Sequence, residues 1–138
     1  MTSFTLSTSV DALLGSKDSV VEGFYRRLLS AFPELSRYFE DIDLRVQASM
    51  VTMALVHVEG FYTHRFPATR HYLQVLGHRH YHVGVRPEDL NKFRDVMLQC
   101  LAEFFGETWT DELFSQWKEA LDLAISVMLE GYQQDFTF

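Results

Sequence analysis

The sequence predicts an all-α fold, and three observations support that prediction. Apolar residues recur at intervals of three and four over most of the 138-residue chain. Three prolines, Pro33, Pro67 and Pro87, divide the chain into segments of helix length. No stretch shows the apolar–polar alternation of a half-buried strand. A chain of this length typically forms one core, so we expect residues 1–138 to be a single domain with residues 1–9 and 133–138 at its periphery.

Three helices are expected in the first two-thirds of the chain. The first covers residues 19–32 and stops before Pro33, and its apolar face is formed by Val21, Phe24, Tyr25, Leu28 and Phe32. A long amphipathic helix runs from residue 44 to about residue 62, and its buried stripe is Gln47, Val51, Ala54, Val58 and Phe61. A shorter helix covers residues 68–83.

Two further helices follow Pro87. Proline suits the first turn of a helix because its missing N–H group has no partner there, and Glu88 and Asp89 favour the positive end of the helix dipole. This helix should bury Leu90, Phe93, Met97, Leu101 and Phe104 and end at Gly106. Thr110 is the predicted N-cap of the last helix. The expected buried stripe of that helix is Leu113, Phe114, Trp117, Ala120, Leu121, Ala124 and Met128.

Composition and charge exclude several classes of protein. The net charge is −7 and no Lys/Arg-rich block is present, so a nucleic-acid partner is not expected. No apolar run approaches the roughly 20 residues that cross a bilayer, and the N-terminus lacks the pattern of a secretion signal. The single cysteine, Cys100, fits a reducing compartment. We therefore expect a cytoplasmic protein without a membrane partner, as a monomer or a homodimer.

The segment LGHRHYHVGVRPEDL, residues 76–90, contains three histidines at every second position. On a strand His78, His80 and His82 would share one face, whereas on a helix residues two apart point in different directions. His80 follows Leu73 and Leu76 at helical spacing, so it is expected to face the interior. The other histidines of this helix share a different face and are expected to be solvated: His71, His78 and His82.

Two interpretations of these histidines are alternatives to a cofactor site. A single inward histidine is often a core residue satisfied by a hydrogen bond. His78 and His82, four residues apart, could instead hold zinc or nickel, although no Cys or carboxylate near them in sequence completes four ligands. Tyr25 and Gln47, however, are polar groups on the buried stripes of two other helices. Three inward polar groups on three helices indicate a lined pocket, which a cofactor with one axial histidine would explain.

The segments FYRRLLSAFPELSRYFEDIDLRVQASM and LGHRHYHVGVRPEDL resemble the single-domain bacterial globins and the globin part of flavohaemoglobins. The residues that carry the resemblance are, in order, Phe24-Tyr25, Pro33-Glu34-Leu35, Phe39, Gln47, His80 and Gly84-Val85-Arg86-Pro87-Glu88. The likeness extends from about residue 10 to residue 132. It implies that the chain is one globin domain, with helices packed around haem b, iron protoporphyrin IX.

The resemblance also implies roles for individual residues. His80 is the proximal ligand of the haem iron and leaves the opposite coordination position open to O₂. Tyr25 and Gln47 form the distal wall and stabilise O₂ by hydrogen bonds. A shift of one residue would bring Val46 or Ala48 to the haem in place of Gln47 and leave Tyr25 alone. The remaining residues implied to contact the cofactor are Phe39, Val51, Phe93 and Arg79, the last through a haem propionate.

Departures from the family pattern bear on the activity. Flavohaemoglobins typically carry a Tyr where Leu90 lies and a Glu near the end of the last helix, and both support the proximal histidine. Leu90 cannot do so, and Glu130 is offset from the expected Glu by about two positions. The resemblance therefore favours reversible O₂ binding over peroxidase-like chemistry. The alternatives are nitric oxide dioxygenation with a separate reductase, because this chain ends at Phe138, and haem-based gas sensing. NO and CO are further candidate ligands.

Overall fold

A computed structural model describes residues 5–16 and 20–133, the side chains of residues 20–22 excepted. The described residues form helices and no strand, so the predicted all-α fold is confirmed. The α-helices are α1 (Leu6–Gly15), α2 (Val20–Ala31), α3 (Leu44–His64), α4 (Pro67–His82), α5 (Pro87–Phe105) and α6 (Asp111–Gly131). Two 3₁₀ helices cover Pro33–Phe39 and Gly106–Thr108. None of the helices in the described ranges combines the length and apolarity that spanning a bilayer requires.

Prolines and capping residues set the helix ends, as predicted. Pro67 and Pro87 lie in the first turns of α4 and α5. The Thr110 hydroxyl accepts a hydrogen bond from the backbone N–H of Leu113 at 3.0 Å and caps α6. Gly106 ends α5 with a φ of 55°, a conformation that favours glycine. The predicted bounds of α2, α3 and α4 agree with the structure to within two residues, although residue 19 lies outside the described part.

The sequence did not predict α1. This helix begins within the N-terminal segment that is expected at the periphery. Leu6 and Ser9 are buried, and the Trp117 indole N–H donates to the Ser9 hydroxyl at 3.0 Å. Leu6 and Ser9 therefore pack against the core, whereas Thr5, Ser7 and Thr8 are exposed. The rest of the segments expected at the periphery, apart from the exposed Gln133, lies outside the described residues.

The core lies where α2 packs on α5 and where α6 packs on α3, α4 and α5. Most residues of the predicted stripes are buried or pack against the core, but Phe104 and Phe114 are 39% and 40% exposed. α5 buries Phe105 in place of Phe104, because its stripe continues by four residues from Leu101. The Val21 side chain lies outside the described residues.

The α4 and α6 backbones approach each other closely at two glycines. A Cβ atom on Gly77 would lie 1.9 Å from the carbonyl oxygen of Met128, and one on Gly131 would lie 1.9 Å from that of Gln74. Any side chain at either position would push the helices apart. The two glycines thus set the position of α4, which carries His80 one turn after Gly77.

Candidate functional site

A cavity of about 1050 Å³ lies among the helices. Residues of α3 and α4 supply about half of its lining, and α2, the first 3₁₀ helix, α5 and α6 supply most of the rest. Most of the lining side chains are apolar, as in sites for organic cofactors, whose volumes are roughly 300–1,000 Å³. The structure brings all the predicted site residues to this cavity: Tyr25, Phe39, Gln47, Val51, Arg79, His80 and Phe93.

His80 reaches the cavity from the last turn of α4. Its Nδ1 atom lies 2.7 Å from the carbonyl oxygen of Leu76, so Nδ1 carries the proton and donates it to that carbonyl. Burial lowers the pKa of His80, and the bond to Leu76 opposes this only in part, so the ring is neutral at neutral pH. The lone pair then resides on Nε2. A neutral imidazole of this kind is a suitable ligand for iron.

The expectation for Leu90 and Glu130 is that neither supports the His80 ring. Leu90 is a buried, apolar part of the cavity wall. Glu130 lies on α6 and pairs with Arg70 of α4, with its Oε2 atom 2.6 Å from the guanidinium. Glu130 thus pairs with Arg70, and the acceptor for the His80 N–H is the neutral backbone carbonyl of Leu76.

Tyr25 of α2 and Gln47 of α3 both line the cavity. Burial raises the pKa of Tyr25 to about 12, and the nearby Gln47 side chain partly opposes this. Tyr25 therefore stays protonated, and its O–H remains able to donate into the cavity. Its ring packs edge-on against Phe39 with the centroids 5.1 Å apart. Of the three residues considered for the distal wall, Gln47 lines the cavity, whereas Val46 is 58% exposed and Ala48 is buried away from the lining.

Sequence reasoning missed a polar cluster at the cavity wall. The Tyr38 hydroxyl lies 2.9 Å from Asp89 Oδ2 and 3.1 Å from the Gly84 carbonyl oxygen. Burial favours a raised pKa for Asp89, but bonds from Tyr38, the Arg86 N–H and Lys92 outweigh it and lower the pKa. The cluster ties the first 3₁₀ helix to the start of α5. Its only sequence signal was an acidic residue in a first helical turn, which predicts a solvated group.

The expectation that His78 is solvated is wrong, because its side chain is buried. The side of α4 that carries His78 faces the end of α6, and His78 Nδ1 lies 3.1 Å from the Gly131 carbonyl oxygen. His82 and His71 are exposed as expected, and His71 also lines the cavity. The described ranges contain no group of three or more His, Cys, Asp or Glu side chains able to hold a metal ion. They therefore do not supply the four protein ligands of a structural zinc site at His78 and His82.

The helices enclose an apolar cavity with the neutral imidazole of His80 on its wall, an arrangement typical of a globin-like protein. The globin family model matches residues 22–128, and the chain therefore belongs to the globin family.

The chain is similar to three flavohemoproteins. It is 24% identical to that of Oceanobacillus iheyensis over 134 residues, which cover 94% of this chain and 33% of the relative. It is 26% identical to that of Rhizobium meliloti over 74% of this chain and 26% of the relative. It is 21% identical to that of Halalkalibacterium halodurans over 91% of this chain and 31% of the relative. The chain thus spans a third or less of the length of these curated relatives.

Globin membership implies a haem cofactor, and the residues present fit it. The cavity is large and mostly apolar, which suits a flat organic macrocycle. His80 offers a neutral nitrogen lone pair, and Arg79, next to it, offers a positive charge for a carboxylate at the cavity edge. The Tyr25–Gln47 pair belongs to the same cavity and provides polar atoms away from α4.

Proposed function

We propose that this chain binds haem b through His80 Nε2 and reversibly binds O₂ at the coordination position that His80 leaves open. One observation carries the proposal. A single apolar cavity contains a neutral imidazole, held by its other nitrogen, together with a buried tyrosine whose proton is available. When bound, haem supplies a five-coordinate ferrous iron at which O₂, CO or NO can bind.

Tyr25 would stabilise the gas ligand. O₂ draws negative charge from ferrous iron, so a donor beside it strengthens binding, whereas CO gains less. The Gln47 side chain lines the cavity beside Tyr25, where it would orient the phenol or itself donate to the gas ligand. One such hydrogen bond in an apolar wall is worth about 1–3 kcal/mol, which corresponds to a roughly 5- to 150-fold slower release of O₂.

The chain's other residues would hold the cofactor and limit its reactivity. Phe39, Val51 and Phe93 present apolar surface to the macrocycle, and Arg79 would pair with a propionate. The Leu76 carbonyl is a weaker acceptor for the His80 N–H than a carboxylate. The imidazole therefore keeps its proton and would donate less charge to a bound haem iron, which would favour holding O₂ over cleaving it.

The haem assignment is tested by His80→Gly, with His82→Ala as the matched control two residues further along α4. We expect His80→Gly to lose the Soret band, added imidazole to restore it, and His82→Ala to retain it. Absorption spectra of the purified, haem-supplemented proteins measure all three. A His80→Gly variant that holds haem with the wild-type spectrum would contradict the assignment.

The distal assignment is tested by Tyr25→Phe. We expect O₂ to dissociate roughly 5- to 150-fold faster, because the donated hydrogen bond is lost, while the CO dissociation rate changes much less. Stopped-flow ligand replacement on the ferrous protein measures both rates. Equal acceleration for the two gases would show that the phenol acts only by its size.

A second candidate function is nitric oxide dioxygenation with electrons from a reductase. It is favoured by the relatives, whose name, flavohemoprotein, denotes both a flavin and a haem. The measurement is NO consumption by the haem-loaded chain with NADH, with and without a flavin reductase. Sustained turnover that depends on the reductase would support the enzyme over the O₂-binding protein.

A further inference from the structure

We propose that His78 and His82 form an exchangeable binding site for a divalent transition-metal ion. The site is distinct from the haem cavity, which neither residue lines. It lies on the side of α4 that faces the end of α6. The two residues are four apart and lie one above the other on the helix, the spacing by which helical histidine pairs chelate metals.

The two ring nitrogens lie close enough to share one ion. The Nε2 atoms of His78 and His82 are 3.0 Å apart and form a hydrogen bond. Two nitrogens bound to one ion at roughly 2.0–2.1 Å each lie about 2.8–3.4 Å apart, so an ion can replace the hydrogen bond with little change in the spacing of the rings. Imidazole nitrogen is a suitable ligand for Cu²⁺, Ni²⁺ and Zn²⁺.

His78 is already oriented for this role. Its ring is buried, and its Nδ1–H donates to the Gly131 carbonyl oxygen at 3.1 Å. That bond assigns the proton to Nδ1 and leaves the lone pair on Nε2, which lies toward His82. Metal-binding histidines commonly hold their other nitrogen in the same way, by a hydrogen bond to a carbonyl or carboxylate.

His82 supplies access and the second nitrogen. It is exposed, and its ring stands edge-on to that of His78 at 87° with the centroids 4.5 Å apart. Without a metal, His82 Nε2–H donates to His78 Nε2. When an ion binds, that proton moves through solvent to His82 Nδ1, so two neutral rings bind the metal without net proton release and without a change of oxidation state.

Two protein ligands make an open site. The described residues contain no larger group of metal-binding side chains, and water would fill the remaining coordination positions. We therefore expect an ion that exchanges with solvent. The His78–Gly131 bond would connect that ion to the contact between α4 and α6.

The experiment uses the untagged, haem-loaded ferric protein and titrates it with NiCl₂ and with ZnCl₂ by calorimetry. His82→Ala removes the exposed ligand and leaves the buried His78 in place. His64→Ala is the matched control, since His64 is also an exposed histidine near a helix end but belongs to α3. The Soret band of each variant reports that haem remains bound.

We expect one Ni²⁺ per wild-type chain, the same in His64→Ala, and loss of this binding in His82→Ala with an unchanged Soret band. Zn²⁺ should show the same dependence on His82, because imidazole nitrogen suits both ions. Equal Ni²⁺ binding by wild type and His82→Ala would overturn the proposal.

Discussion

Replacing Gly77 by alanine should destabilise the protein through a clash between two helix backbones. The new Cβ atom would lie 1.9 Å from the Met128 carbonyl oxygen, whereas ordinary contacts begin at 3.4 Å. Relief of the clash requires α4 and α6 to separate by about 1.5 Å at this point. Overpacking of this kind costs roughly 1–3 kcal/mol, and alanine's higher helix propensity offsets less than about 1 kcal/mol of it. Because the clash is with backbone atoms, which cannot move aside as a flexible side chain can, we expect a net loss of about 1–2 kcal/mol in the free energy of unfolding.

Gly60→Ala is the matched control for this prediction. Gly60 is also an interior helical glycine, but a Cβ atom added there would meet no atom within 4 Å. The same chemical change should therefore stabilise the protein by up to about 1 kcal/mol, because alanine loses less conformational freedom on folding. The two substitutions are expected to act with opposite sign.

Urea unfolding of the haem-free variants measures the free energy of unfolding. The rate of haem transfer to an excess of an acceptor apoprotein measures how fast each variant releases haem. His80 lies one turn after Gly77, so a displaced α4 should release haem faster in Gly77→Ala than in wild type or Gly60→Ala. If both substitutions stabilise the protein equally and neither changes haem release, the close approach of α4 and α6 does not position His80.

Two smaller predictions concern buried polar groups. Ser9→Ala should lower the free energy of unfolding by about 1–3 kcal/mol, because it leaves the buried indole N–H of Trp117 without its acceptor. Thermal unfolding measures the effect, and the control Ser7→Ala, at an exposed serine, should change stability little. Asp89→Asn should also destabilise the protein at pH 7. The pKa of Asp89 is lower in the folded state than its ordinary value of 3.8, so its contribution is present above that value and is lost as the pH falls through the folded-state pKa. Unfolding curves of wild type and Asp89→Asn should therefore converge at acidic pH, and a constant difference down to pH 2 would contradict the sign.

Much of the fold and of the candidate site could be predicted because both follow from helical spacing. The 3.6-residue period separates His80 from His78 and His82, and it places Tyr25 and Gln47 on buried stripes. Prolines and a capping threonine mark helix ends through local chemistry that needs no tertiary contact. These features depend on residues within a few positions of one another, and for that reason the sequence reveals them.

The helix-packing features could not be predicted in the same way. Whether His78 is solvated depends on which side of α4 meets α6, and that contact is set by Gly77 and Gly131, which are 54 positions apart. Asp89 appears in the sequence as an ordinary first-turn acid, and its burial depends on the hydroxyl of Tyr38, 51 positions away.

The sequence alone determined an all-α chain in which His80 faces the interior, because both features follow from the periodicity of a single helix. Only the tertiary structure decided that Glu130 of α6 pairs with Arg70 of α4, and that His78 of α4 donates to the Gly131 carbonyl of α6. These pairings form when helices cross at particular distances and angles. Such distances and angles come from the packing of whole helix faces, which the local order of residues does not specify.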